Sequence, residues 1–274
     1  MPSIVDSQIH IWRANSPEHP WPIERVRYAH GPSEFGAEDI LQVMESVGVD
    51  RALLVPAFAA GDSNDFALQA AAKYSDRFKV FGRMAMAAPS AQRTLLDDLE
   101  RGLTGVRLSF LDQDAVHLTN GSLDWLWPLA EARDIPLMLW PPSQLPALLE
   151  IAEAHPKLRI ALDHMGLAFP DDPQAPERDL DQTLRLADCP NVCLKATSYA
   201  WFGKEGPPFP GFLRLVRRAI DAFGANRVFW GTDYSRLPCD YATAIRAFDE
   251  PSFFRSPGEK DLVMGEAVKK WLGW

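Results

Sequence analysis

The chain has 274 residues, of which 47% are hydrophobic and 24% charged, and its formal net charge is −9. This composition is typical of a globular protein with a large core, and it excludes a disordered chain. An acidic chain without clustered Lys and Arg also lacks the electrostatic footprint of a nucleic-acid-binding protein. We therefore expect small-molecule partners rather than nucleic acid.

The N-terminal segment and the cysteines bear on the cellular compartment. No apolar run reaches the roughly 18 residues that a membrane-spanning helix needs. Residues 1–6 lack the basic start and apolar stretch of a signal peptide. Cys189, Cys193 and Cys239 are odd in number, and their spacing fits neither a disulfide framework nor a zinc knuckle. These features predict a cytoplasmic protein with free thiols and no membrane partner.

Eight short apolar runs predict eight β-strands. In chain order they are Ile4–Ile9, Arg51–Val55, Lys79–Met84, Gly105–Ser109, Pro136–Trp140, Arg159–Leu162, Val192–Ala196 and Arg227–Gly231. The runs are continuous rather than alternating, which is typical of strands buried on both faces of a parallel sheet.

Helical periodicity fills the intervals between these strands. The predicted helices are Glu38–Val47, Asn64–Tyr74, Ala91–Arg101, Leu123–Ala132, Leu145–Ala154, Leu180–Ala187 and Phe212–Phe223, and Pro257–Trp274 is expected to close the chain. A sustained strand–helix repeat predicts an α/β fold, a (β/α)8 TIM barrel forming one domain over residues 1–274. A doubly wound open sheet is the alternative, but no Gly-x-Gly-x-x-Gly follows the first strand, which excludes its dinucleotide-binding version.

Two long connections follow predicted strands one and seven. They span residues 11–37 and 197–210, and both are rich in aromatic residues and proline. Long loops in compact domains are often functional, and both would lie at the C-terminal end of the barrel, where active sites are built. We expect them to cover the barrel mouth and to contribute Trp21, His30, Tyr199 and Trp201 to the lining of a substrate site.

Polar residues stand at the predicted C-terminal ends of five strands. Strand one ends Asp-Ser-Gln-Ile-His over residues 6–10, strand six ends Asp-His-Met-Gly over 163–166, and strand eight ends Trp-Gly-Thr-Asp over 230–233. Strand four carries Arg107 and strand seven carries Lys195. Barrel chemistry comes from this end of the strands, so these residues are the candidates for an active site.

These three motifs resemble the amidohydrolase superfamily, in the branch of small lactonases that act on sugar lactones and on 2-pyrone-4,6-dicarboxylate. The stretches 144–156 and 265–271 are also similar to the pattern of that branch. The resemblance covers essentially the whole chain. It implies a barrel hydrolase in which Asp233 is the general base.

The departures from the family pattern concern metal binding. The family pattern in strand one is Asp-x-His-x-His, and the first histidine is replaced here by Gln8. Strand five ends at Trp140 followed by two prolines, where metal-dependent members place a ligand. His10, His164 and Asp233 could make at best three ligands, whereas a catalytic zinc takes three protein ligands and keeps an open position. We expect no cofactor and no metal ligands, with a weakly bound divalent ion such as zinc as the alternative.

The predicted reaction is the hydrolysis of a lactone by a water that Asp233 activates. His164 and His10 are expected to hydrogen-bond the carbonyl oxygen as negative charge develops there, and the Gln8 amide is expected to add a further donor. Arg107 could hold a carboxylate or hydroxyl group bidentately, or it could pair with Asp163.

Lys195 is a second cationic candidate for substrate binding, with a structural role as its alternative. Tyr199 and Trp201 are expected to line the ring of the substrate. Trp21 and His30 are expected to lie near the mouth.

Other functions stay open from the sequence alone. The same barrel could isomerise a lactone, or act as a metal-dependent hydrolase or decarboxylase. The loss of the first histidine is also what a non-catalytic ligand-binding barrel would show. A monomer and a homodimer are both compatible with the sequence.

Overall fold

The barrel is formed by eight parallel strands. A computed structural model describes residues 3–169, 172, 174–250 and 252–274, so the predicted domain of 1–274 extends beyond the described residues. The strands are β1 Val5–Ile11, β2 Arg51–Pro56, β3 Phe78–Gly82, β4 Gly105–Ser109, β5 Leu137–Trp140, β6 Ile160–Leu162, β7 Val192–Ala196 and β8 Val228–Trp230. Each strand pairs in parallel with the next in chain order, which confirms the TIM barrel prediction.

Strand β8 returns beside β1, so that the barrel is nearly closed. The Asp233 backbone N–H donates to the Gln8 carbonyl at 3.0 Å across this seam. The approach is close, because a Cβ added to Gly231 would lie 2.6 Å from the Ser7 hydroxyl and 3.0 Å from an Asp6 carboxylate oxygen. A glycine is therefore required where the last strand meets the first.

Helices connect the strands on the outside of the barrel. They are α1 Ala37–Val47, α2 Asp65–Lys73, α3 Ala91–Glu100, α4 Leu126–Ala132, α5 Leu145–Ala154, α6 Ala175–Thr183, α7 Tyr199–Phe202, α8 Pro210–Phe223, α9 Tyr241–Arg246, α10 Pro257–Asp261 and α11 Ala267–Leu272. The closing helix predicted over Pro257–Trp274 is interrupted by a π-helical turn, Leu262–Glu266. In the described part of the chain, no helix has the length and apolarity needed to cross a membrane.

The N-terminal end of the barrel is filled by apolar side chains. One buried cluster comprises Val5, Leu53, Val55, Phe81, Met138, Ala161, Cys193, Phe229, Ala267 and Val268. Trp271 of α11 stacks on Phe81 with ring centroids 6.0 Å apart and contacts Phe229 at 5.4 Å. The last helix therefore closes this end of the barrel and leaves the opposite end for a polar site.

Candidate active site

The C-terminal end of the barrel opens into a cavity of about 370 Å³. Its described lining residues are Gln8, His10, Arg27, Tyr28, His30, Phe58, Arg83, Arg107, Ser109, Leu111, Trp140, His164, Phe169, Trp201, Asp233 and Arg236. The three predicted catalytic residues, Asp233, His164 and His10, are brought together here from strands β8, β6 and β1. The predicted substrate-binding residues Gln8, Arg107, Trp201 and His30 also line this cavity.

Strand β1 is anchored beneath the site by Asp6. Its carboxylate accepts hydrogen bonds from the backbone N–H groups of Gln8 and Thr232 at 2.9 and 3.0 Å, and from the Tyr241 hydroxyl at 2.7 Å. The side chain is fully buried, and burial raises the pKa of Asp6 to about 6 although these donors lower it. Asp6 thus ties the segment before Asp233 to the strand that carries Gln8 and His10.

Asp233 faces the cavity with its carboxylate held between His10 and Ser198. Its Oδ1 is buried and lies 3.1 Å from His10 Nε2, while Oδ2 accepts from the Ser198 hydroxyl at 3.2 Å. Burial opposes ionisation, but the contact with His10, followed by the charges of His10, His164 and His30, outweighs it and holds the pKa of Asp233 below its usual range. The carboxylate is therefore ionised at neutral pH.

The two imidazoles are held by the atoms behind them. His10 Nδ1 lies 2.8 Å from the Val55 carbonyl, which can only accept, so Nδ1 carries a proton and Nε2 is directed toward Asp233. His164 Nδ1 lies 2.6 Å from both the Thr197 and Ser198 hydroxyls. Burial lowers the pKa of His164 to about 4, so this ring is neutral at pH 7.

Two of these residues adopt backbone conformations that are uncommon for non-glycine residues. His164 has φ 54° and Asp233 has φ 56°, both in the left-handed region that side chains other than Gly rarely occupy. Each residue lies just beyond the end of its strand, so the turn redirects the chain there. Such conformations cluster at functional sites, which agrees with the assignment of both residues to the active site.

A buried ionic cluster lies below the cavity floor. Asp163 accepts from Lys195 Nζ at 2.8 Å and from Arg107 Nε at 2.6 Å, and Lys195 also donates to Gln8 Oε1. Burial would raise the pKa of Asp163, but the two cations hold it below its usual range. Because an ammonium can only donate, the Gln8 oxygen must face Lys195. The Gln8 amide nitrogen lies 3.4 Å from His10 Nε2, and its second N–H is left for the cavity side.

The structure corrects three of the predicted substrate contacts. Lys195 is fully buried and is absent from the described lining, because Asp163 and Gln8 occupy its donors. Tyr199 is fully buried too, and its hydroxyl accepts from Trp230 at 2.8 Å and donates to the Ala244 carbonyl. Trp21 packs in the first long loop and donates to the Arg13 carbonyl at 3.1 Å.

Arg107 lines the cavity as predicted, and two of its five N–H donors are used within the protein. Its Nε donates to Asp163, and its Nη1 donates to the Ser109 hydroxyl. The alternative interpretation, in which Arg107 pairs with Asp163, therefore describes its main contact.

The mouth is lined by aromatic residues from the two long loops and from the ends of strands β5 and β6. Trp140, Phe169 and Trp201 form a run of edge-to-face contacts with centroids 4.8 and 4.7 Å apart. On the opposite side His30 lies 4.7 Å from the His10 ring, and burial lowers its pKa to about 2. The predicted loop contribution of Trp201 and His30 to the mouth thus agrees with their positions.

Several lining residues were not identified from the sequence. Arg83 and Phe58 follow strands β3 and β2, Ser198 lies next to Asp233, and Arg27 and Arg236 lie at the mouth. Arg83 lies near the C-terminal end of the predicted strand Lys79–Met84, and this position could have identified it as a candidate. For the others, no pattern in the sequence separates them from ordinary loop residues.

The donor groups of the cavity decide whether it could hold a metal ion. Among the residues that the structure describes, no group of three or more His, Cys, Asp or Glu is arranged to hold a metal ion. The Gln8 oxygen is already occupied by the Lys195 ammonium, so Gln8 does not replace the first histidine of the family pattern as a ligand.

Comparisons with known proteins agree with this architecture. The chain is 27% identical over 247 residues to an L-fucono-1,5-lactonase of Burkholderia ambifaria, covering 85% of this chain and 81% of that protein. It is 24% identical over 247 residues to a 4-sulfomuconolactone hydrolase of Hydrogenophaga intermedia, covering 85% and 75%.

Solved structures share the fold at lower identity. An amidohydrolase from Burkholderia multivorans with bound zinc superposes with a TM-score of 0.79 at 20% identity, over 99% of each chain. A probable 2-pyrone-4,6-dicarboxylic acid hydrolase from Acinetobacter baumannii gives 0.76 at 18% identity, over 99% of this chain and 100% of the other. A model of the amidohydrolase family matches residues 5–274, so the resemblance predicted from the motifs is confirmed and the chain belongs to the amidohydrolase family.

Proposed function

We propose that this protein is a hydrolase that opens a lactone ring with a water activated by Asp233, without a tightly bound metal. The observation that carries the proposal is the buried Asp233 carboxylate, which lies 3.1 Å from His10 Nε2 and lines a cavity together with His10 and His164. The names of the two curated relatives, a lactonase and a lactone hydrolase, support the reaction class.

Asp233 takes the proton from water in this scheme. Its low pKa makes it a weak base but keeps it ionised, and positioned general bases contribute about 10²–10⁴-fold to rates. The hydroxide formed attacks the lactone carbonyl carbon. The ring C–O bond then breaks, and the proton held by Asp233 passes to the leaving oxygen, so that lactone and water give one hydroxy acid.

The carbonyl oxygen requires donors while it carries negative charge. Gln8 offers its amide N–H group on the cavity side, because Lys195 holds its oxygen. When the Thr197 hydroxyl donates to His164 Nδ1, the neutral ring carries its proton on Nε2 and can donate it to the oxyanion. Preorganised donors of this kind are often the largest single contribution to catalysis.

The test combines turnover with metal analysis on the same preparation. Protein purified without added metal is assayed by pH-stat on a panel of neutral and acidic lactones, and its metal content is measured. We expect acid release by metal-poor protein and no loss of rate after treatment with a chelator. Near-stoichiometric zinc whose removal abolishes turnover would overturn the metal-free mechanism. Conversion of a lactone without acid release would instead indicate an isomerase.

A further inference from the structure

The cavity is electropositive although the protein as a whole is acidic. The described lining residues include only one carboxylate, that of Asp233, but four arginines: Arg27, Arg83, Arg107 and Arg236. The chain carries a formal charge of −9, so this local excess of cations is not a consequence of composition. It points to a ligand with negative charge.

Two of these arginines are paired with carboxylates, and a third is bonded to a backbone carbonyl. Arg107 is paired with Asp163 at 2.6 Å. Arg27 lies 3.3 Å from Asp112, and Arg236 donates to the Tyr28 carbonyl at 2.7 Å.

Arg83 differs from Arg27 and Arg107 because no carboxylate of the described residues neutralises its charge, and from Arg236 because it is buried rather than partly exposed. The side chain is only 6% exposed, and within the described ranges no carboxylate lies within 4.0 Å of it. Its Nε donates to the Pro56 carbonyl at 2.7 Å, whereas its two terminal nitrogens make no hydrogen bond to the described residues. Asp62, whose negative charge acts on Arg83, is held by both terminal nitrogens of Arg25 at 2.7 and 3.1 Å.

The surroundings hold Arg83 in place. Asn64 accepts from the Arg83 backbone N–H at 2.7 Å and donates to its carbonyl at 3.0 Å, and Asp98 in turn holds Asn64 at 2.7 Å. The guanidinium lies over the Phe58 ring at 4.9 Å. A side recess of about 170 Å³ adjoins the cavity, and Arg83, Phe58 and two other residues line both spaces.

We propose that Arg83, rather than Arg107, recognises an acid group of the substrate, so that the enzyme selects lactones bearing a carboxylate or sulfonate. An unpaired buried cation is costly, and a planar guanidinium with two free nitrogens matches the two oxygens of such a group. Burial and the neighbouring Arg107 lower the pKa of Arg83, and a bound anion would reverse that effect. The inference rests on the proposed lactone hydrolysis for its substrate class.

The kinetic test uses two lactones that differ only in charge. The γ-lactone of 2-hydroxyglutaric acid carries a ring carboxylate, and its carboxamide is the neutral isostere. We expect wild type to prefer the carboxylate, and Arg83→Met to lower kcat/KM for it about 100-fold while leaving the carboxamide nearly unchanged. Arg83→Lys should lower kcat/KM for the carboxylate less than Arg83→Met does, because lysine keeps the positive charge but lacks the paired N–H donors of a guanidinium. Equal rates on both lactones in wild type, or equal losses in Arg83→Met, would overturn the inference.

A binding measurement separates this inference from the proposed reaction. Glutarate and glutaramide are titrated calorimetrically into each protein at low ionic strength. Saturable binding of glutarate alone, lost in Arg83→Met and kept in Arg93→Gln, supports anion recognition even if neither lactone is hydrolysed. Arg93 is the matched control because its side chain is 87% exposed on α3. Absence of glutarate binding, or its retention in a folded Arg83→Met protein, would overturn the assignment while leaving lactone hydrolysis standing.

Discussion

The two ends of the barrel are built from the same strands but have opposite chemistry. At the N-terminal end, Val5 of β1 and Phe229 of β8 are buried in an apolar cluster closed by Trp271. At the C-terminal end, β1 presents His10, and the turn after β8 presents Asp233 to a polar cavity. The comparison shows stability and chemistry separated along each strand, as expected for barrel enzymes.

A second contrast lies within the polar end. Arg107 and Lys195 share one carboxylate, Asp163, and form a neutralised support for the cavity floor. Arg83 is similarly buried but lacks such a partner in the described structure. A buried charge that is paired within the protein supports the fold, whereas an unpaired buried charge beside a cavity indicates that it binds a ligand of opposite charge.

The largest effect is expected at the polar end from Asp233→Asn. Loss of the base should lower kcat for lactone hydrolysis by about 10³-fold or more, while circular dichroism and thermal unfolding show an intact fold. Asp97→Asn on the exposed face of α3 is the control and should retain wild-type turnover. Substantial activity in a folded Asp233→Asn protein would remove Asp233 from the mechanism.

The apolar end should respond to Phe229→Ala in stability instead. Phe229 is fully buried, and removing such a ring costs about 3–5 kcal/mol of unfolding free energy, measured by urea denaturation. The protein that stays folded should keep its KM. Phe169→Ala at the mouth is the matched comparison, because this ring is 45% exposed; it should raise KM with little change in stability. If Phe229→Ala instead raises KM and Phe169→Ala instead lowers the unfolding free energy, stability and substrate binding are not separated between the two ends of the barrel.

His164→Gln tests whether the His164 imidazole stabilises the negative charge on the carbonyl oxygen. Removal of one oxyanion donor costs about 2.7–4 kcal/mol of transition-state stabilisation, which corresponds to roughly 10²–10³ in kcat. The measurement is steady-state kinetics of the folded variant. A variant that binds substrate less well but turns it over at the wild-type kcat would show that His164 only shapes the cavity.

The smallest effect concerns pH and stability. The pKa values of His164 and His30, about 4 and about 2 in the folded protein, lie below the ordinary value of about 6.5. Between pH 6.5 and 4 the unfolded chain therefore binds more protons, and the unfolding free energy must fall as pH falls. The raised pKa of Asp6, about 6, acts in the opposite direction.

We expect a net loss of about 2 kcal/mol between pH 7 and 5, measured by urea denaturation at each pH. His164→Gln should reduce this pH dependence, because it removes one of the two histidines responsible. A wild-type stability that rises on acidification through this window would contradict the assigned pKa directions.

Much of the barrel could be predicted from local patterns. Strands β4 and β7 were predicted with the bounds that the structure has, whereas β1 begins one residue later than predicted and ends two residues later, which places His10 within the strand. The predicted start of the fourth helix at Leu123 was wrong, because α4 begins only at Leu126. Boundaries depend on turn geometry, which periodicity does not encode.

The sequence by itself determined the eightfold strand–helix order and the convergence of Asp233, His164 and His10, because strand periodicity and strand-end position are local properties of a chain. Only the tertiary structure decided which cations are neutralised. Asp163 pairs with Arg107 and Lys195, which are 56 and 32 residues away in the sequence, and no local sequence pattern predicts such pairs. The same long-range packing buried Tyr199 and Trp21 away from the cavity and left Arg83 facing it, because burial and charge neutralisation depend on neighbours in space.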